Sequence, residues 1–204
     1  MIGLSLFPNT IEREPIKLKE LLIFTGLLCY IYIITDPIGT LFGISSHEQT
    51  FGDFDMSGIL RILIFAPLIE EVFFRIHLSG QKKHAWGVLL MLIPLSLIFN
   101  LGWIIIILLL FGGFVILFYD KFSEFISEKY FNPVFFISSF LFALAHFHQI
   151  DAETFFGRFL IIIIAYLPIG IYFGYVRKKY GLAIVICTHS FFNFSVLTIN
   201  SLIY

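Results

Sequence analysis

The chain has 204 residues, of which 59% are hydrophobic and 13% charged, with mean hydropathy +0.96. Soluble domains are about a quarter charged, so lipid is the natural solvent for most of this surface. The net charge of −1 excludes a general attraction to nucleic acid. Cys29 and Cys187 both lie in apolar runs and read as small buried hydrophobes, not a disulfide scaffold.

A spanning helix needs about 20 mostly apolar residues. About seven such segments follow in order. Residues 1–16 read as an interfacial lead-in, with no cleaved signal peptide. The first span covers about Leu18 to Thr35, and residues 36–56 form the longest non-apolar loop. The second, about Ser57 to Leu78, contains Arg61, Glu70, Glu71 and Arg75. Segments at about Ala85–Phe99 and Trp103–Tyr119 meet at the turn signal Asn100-Leu101-Gly102. Residues 119–131 are amphipathic and suit a short helix on the membrane surface. The fifth span runs from about Asn132 to Phe147, with Asn132 as N-cap and Pro133 at the first helical position. The sixth covers about Phe156 to Val176 and the seventh about Gly181 to Ile199. Gly170 and Gly174 in the sixth suggest close helix packing, and Pro168 a kink.

Basic residues orient this bundle. Arg13, Lys17 and Lys19; Lys82 and Lys83; Lys121 and Lys129; and Arg177, Lys178 and Lys179 all fall on one side if there are seven spans. The other side carries Asp36, Glu48, Asp53, Asp55, Asp151 and Glu153. The positive-inside rule then predicts a multi-pass protein of the cell membrane, N-terminus cytoplasmic and C-terminus outside.

Ionisable groups inside spans are costly and point to function. Three spans carry them: Pro67-Leu-Ile-Glu70-Glu71-Val-Phe-Phe-Arg75, Phe142-Ala-Leu-Ala-His146 and His189-Ser-Phe-Phe-Asn193. Glu71 and Arg75 share a helix face at i,i+4 and can pair. Glu70 lies about 100° around the helix, a carboxylate without a local partner and so a candidate base or acid. Pro67 removes one backbone hydrogen bond, and the resulting kink can admit water. His189 and Asn193 share a face. Glu70 and His189 both lie about 12–15 Å from the basic ends of their helices, and His146 about 21 Å, so tilt must bring His146 into line. Such a set suits amide hydrolysis, with a carboxylate and a histidine on water and a second histidine and an amide on the oxyanion. Two histidines and a carboxylate, here Glu70, His146 and His189, also form a zinc set, although no H-E-x-x-H is present.

In order and separation, Glu70-Glu71-x-x-x-Arg75, Phe142-x-x-x-His146 and His189-x-x-x-Asn193 resemble the CPBP family of intramembrane proteases, also called the CAAX-protease and bacteriocin-processing or Abi family. The resemblance covers about residues 57–199 of what reads as a single membrane-embedded domain, 1–204. It implies an all-α transmembrane bundle and an endopeptidase opening toward the cytoplasmic side. Glu70 and His146 would activate water, His189 and Asn193 would form the oxyanion hole, and Glu71 and Arg75 would support them. The family includes the prenyl endopeptidase that removes three residues after a prenylated cysteine. The compact, Ile- and Phe-rich sequence reads as bacterial, where a peptide or membrane-protein substrate is expected instead. The chemistry predicts no required metal, zinc being the alternative cofactor. Competing functions are a non-catalytic immunity or adaptor protein and a small transporter.

Overall fold

The computed structural model describes residues 15–41, 50–79, 81, 84, 86–90, 118, 120–121, 131–150 and 154–203. Their order is α1 (Leu18–Leu41), α2 (Met56–Leu60), a π-helical turn (Arg61–Phe65), α3 (Ala66–Arg75), α4 (Gly87–Leu90), α5 (Phe131–Ala145), α6 (Phe155–Ile161), a second π turn (Ile162–Tyr166), α7 (Leu167–Tyr180) and α8 (Leu182–Ile203). The fold is all-α, and the chain is a membrane bundle. Three continuous helical stretches are long and apolar enough to cross a bilayer, in Leu18–Thr35, Phe155–Tyr180 and Leu182–Ile203. Residues 91–99 of the third expected span, all of the fourth but Phe118, and most of the surface helix at 119–131 lie outside the described residues.

Several boundaries differ from the sequence reading. Helix α7 runs on to Tyr180, so Arg177, Lys178 and Lys179 form its last turn and not a loop, and α8 runs to Ile203. The first helix runs on through Pro37 to Leu41, taking up the start of the expected loop. Helix α5 starts at Phe131, so Asn132 is inside its first turn and not its N-cap. Hydrophobicity locates a span but leaves its last turn undetermined.

Helices α1, α5, α7 and α8 share one core. Leu28, Phe142, Ile169, Phe173, Val176, Val185 and Phe192 are buried in it, together with Phe74 of α3. Leu22, Ile23, Leu27 and Tyr30 on the outer side of α1 are exposed, as lipid-facing residues should be. Polar ties fasten α1 to α7. The Tyr172 hydroxyl lies 3.3 Å from Thr25 Oγ1 and donates to the Leu21 carbonyl at 3.2 Å. Lys179 Nζ reaches Glu20 at 3.1 Å, and the Tyr175 hydroxyl donates to it at 2.9 Å. Gly181 alone links α7 to α8. Its φ of 100° is open to glycine and strained for other residues.

The two glycines of α7 let it approach α5. A Cβ on Gly170 would stand 2.7 Å from the Ser139 carbonyl oxygen, and one on Gly174 2.6 Å from the Phe135 ring. Their spacing therefore serves packing within the chain. Gly174→Val should lower the melting temperature in detergent by several degrees, since overpacking costs about 1–3 kcal/mol. Gly26→Ala, whose Cβ would meet nothing within 4 Å, should leave it unchanged or slightly raised. Differential scanning fluorimetry of the two variants checks the contrast.

Candidate active site

Helix α5 has 15 residues and so spans about 22 Å, less than the roughly 30 Å of a hydrocarbon core. His146 follows its last residue, within the bundle. There the helix leaves an orphan carbonyl. The His146 N–H turns back to Ala143 O at 3.1 Å, so Phe142 O is not taken by it. The His146 ring takes it instead, with Nδ1 2.9 Å from Phe142 O. A carbonyl only accepts, so Nδ1 carries the proton and Nε2 presents a lone pair.

Helix α3 supplies the carboxylates. Arg75 donates to Glu71 Oε1 at 2.8 Å and to the Gly170 carbonyl at 3.3 Å, and its guanidinium lies 4.1 Å from the Phe142 ring centroid. Both members of this pair are fully buried. Glu71 does more than pair with Arg75. Its Oε1 also accepts from His189 Nδ1 at 2.9 Å, which leaves His189 Nε2, like that of His146, facing away from its anchor. The His189 ring stacks on Phe173 at 4.5 Å between centroids.

Glu70 is the convergence point. Its Oε2 is buried without a hydrogen-bond partner among the described residues. It stands 3.8 Å from His146 Nε2 and 3.9 Å from His189 Nε2. The three side chains Glu70, His146 and His189 are thus brought together, although His146 stands about 22 Å along its helix. Asn193 lines the same cavity, but its Nδ2 donates to Ile62 O at 3.0 Å. The reason lies in the π turn. There Ala66 N–H bonds to Arg61 O at i+5 spacing, and the next donor in that register, for Ile62 O, is Pro67, which has none. Asn193 fills that vacancy with one amide N–H and keeps a second.

These groups face a cavity of about 720 Å³. From Glu70 it passes Tyr32, Tyr166 and Ile62 and reaches Asp53, Asp55, Arg61, Gln149 and Asn200. This is the end of the bundle where α2 begins and α8 ends, opposite Arg177–Lys179. Tyr32 and Tyr166 were not marked by any sequence motif. Nothing in their spacing sets them apart from the other aromatics.

The donor set Glu70, His146 and His189 suits zinc chemically. The edge of a tetrahedral zinc site is about 3.4 Å for bonds of about 2.0–2.1 Å, so the 3.8 and 3.9 Å separations are a few tenths too wide. Among the described residues no cluster of three or more His, Cys, Asp or Glu side chains is gathered as a metal site.

The family model for type II CAAX prenyl endopeptidase Rce1-like proteins matches residues 53–195. The chain belongs to this family. The match includes all three motifs and bears out the resemblance read from them. Membership implies protease activity on a peptide or protein substrate in a lipid environment. No curated protein and no solved structure matches the chain.

The two adjacent glutamates should part company on mutation. Glu71→Gln weakens both Arg75 and His189, and loss of a buried ion-pair partner costs about 3–5 kcal/mol. Glu70→Gln breaks no hydrogen bond at Oε2 and should melt within a degree or two of wild type. Asn193→Ala uncovers the Ile62 carbonyl and should cost about 1–3 kcal/mol. Thermal melts of the three variants in one detergent give the ranking.

Proposed function

We propose that the chain is an intramembrane endopeptidase that hydrolyses a peptide bond with water held between Glu70 and His146. The observation that carries this reading is the unpartnered Oε2 of Glu70 facing the Nε2 lone pair of His146 at 3.8 Å. A water hydrogen-bonded to both at about 2.8 Å would subtend an angle of about 85°, close to its own H–O–H angle. Both its protons then point at acceptors and its lone pairs at a substrate carbonyl.

The proton balance follows. Glu70 takes a proton from water as the oxygen attacks the scissile carbon. The carbonyl oxygen gains the negative charge. His189 can donate to it from Nε2 only as an imidazolium, because its Nδ1 proton is committed to Glu71. Glu71 holds the ring from behind at Nδ1, and the remaining N–H of Asn193 is the second oxyanion donor. Glu70 then passes its proton to the leaving amine as the C–N bond breaks.

No metal is required in this reading, because Glu70 is the base and not a ligand. If zinc were bound, Glu70, His146 and His189 would hold it and it would polarise the water. Purified protein should therefore cleave a fluorogenic peptide with far less than stoichiometric zinc by elemental analysis. Activity lost to a chelator and restored by zinc alone would establish the metal route. Glu70→Gln should lower kcat by at least about a hundredfold with the melting temperature unchanged.

In this reading the cavity is entered from the end that carries Asp55 and Gln149, not from the expected cytoplasmic side. That end lies opposite Arg177–Lys179, which the positive-inside rule makes cytoplasmic. In a background lacking Cys29 and Cys187, an impermeant maleimide should label Gln149→Cys in intact cells and spare Lys178→Cys. The opposite pattern would return the mouth to the cytoplasm and reverse the termini.

A further inference from the structure

His146 stands outside the helix that delivers it. Its backbone, at φ −87° and ψ 0°, lies past the end of α5, so the helix lattice does not set its ring plane. The Phe142 carbonyl anchors Nδ1 but leaves the ring able to swing about that bond. Two aromatic rings limit the swing. Phe142 contacts it at 4.9 Å between centroids, tilted by 54°. Tyr166 stacks on it at 4.7 Å with 28° between planes.

Tyr166 is itself held. It is the last residue of the second π turn, which precedes Pro168 just as the first π turn precedes Pro67. It lies beside Tyr32 of α1, and both tyrosines line the cavity. Tyr32 lies outside the family-matched residues 53–195. A route of contact therefore runs from α1 through Tyr32 and Tyr166 to the His146 ring.

We propose that Tyr166 is a positioning residue for His146, its ring stack aiming Nε2 at Glu70. The kinetic consequence rests on the proteolytic reading given above; the placement of the ring does not. A misplacement of about 1 Å at a reacting group costs on the order of a hundredfold in rate.

The test compares Tyr166→Leu and Tyr166→Met, which lose the ring, with Tyr166→Phe, which keeps it. Two non-aromatic variants are used so that one folded protein, judged by its melt, suffices. With a fluorogenic peptide the non-aromatic variants should lose about 10–100-fold in kcat with KM within about threefold, and Tyr166→Phe should restore kcat to within about threefold of wild type. In parallel, nitrogen-15 histidine spectra of each protein report the ring directly. Wild type and Tyr166→Phe should show His146 as the Nδ1-protonated tautomer. The non-aromatic variants should show mixed tautomers or broadening at His146, with His189 unmoved. A wild-type His146 signal in a folded non-aromatic variant overturns the proposal. So does a Tyr166→Phe variant as slow as the others with its His146 signal intact, which would assign the hydroxyl a direct role. If wild type cleaves no peptide, the proteolytic reading fails, while the spectra still decide whether Tyr166 sets the ring.

Discussion

The structure depends on the satisfaction of one buried charge. Arg75 is enclosed by protein at a depth where water is scarce, and an uncompensated guanidinium there would cost several kcal/mol. Everything nearby is arranged to supply electrons to it: Glu71 Oε1, the Gly170 carbonyl and the face of Phe142. The glycine at 170 that admits α5 to α7 also brings its carbonyl within reach of Arg75. Ser139 of α5 donates to that same carbonyl at 3.3 Å. Helices α3, α5 and α7 are thus joined at one point, and α8 joins them through His189 on Glu71.

That arrangement separates two carboxylates that differ by one position. Glu71 points into the ring of partners, which take its Oε1 and leave its buried Oε2 without a hydrogen bond among the described residues. Glu70, rotated about 100° around the helix, points into the cavity, with His146 Nε2 and His189 Nε2 at 3.8 and 3.9 Å, beyond hydrogen-bonding distance. A carboxylate oxygen facing the lone pair of His146 needs something with protons between the two, and water is the simplest candidate. The network that stabilises Arg75 and the group proposed to activate water are therefore two consequences of one helix phase.

The two π turns extend the same logic. Each widens the helix by one residue just before a proline, where a backbone donor is already missing. In the first, the carbonyl left over is Ile62 O, and Asn193 of α8 takes it. In the second, the turn ends at Tyr166, beside His146. The prolines follow turns whose residues Ile62 and Tyr166 line the cavity, where a helix is allowed to be irregular because its polar groups face protein and not lipid.

Much of this was legible in the residues themselves. Charged and polar side chains in apolar runs stand out because lipid tolerates few of them, and i,i+4 spacing alone pairs Glu71 with Arg75 and frees Glu70. Hydropathy alone marks α1, α7 and α8 as helices, because a span must satisfy its own backbone. What one-dimensional periodicity does not carry is contact between helices. That Glu71 also serves His189 and that Asn193 serves the Ile62 carbonyl are relations between residues separated by up to 131 positions, and the cavity that reaches Asp55 is lined from several helices. The i+5 register moved the orphan carbonyl one residue from where Pro67 would leave it in an α-helix. The tyrosines were hidden for a related reason. In a chain with nine tyrosines and 27 phenylalanines, a functional ring has the same composition signature as lipid-facing ones. The sequence by itself determined which groups must be shielded from lipid, because their cost is a property of residue type and depth. Only the tertiary structure decided which neighbour shields each of them, because that depends on helix phase and crossing, set by packing across the whole bundle.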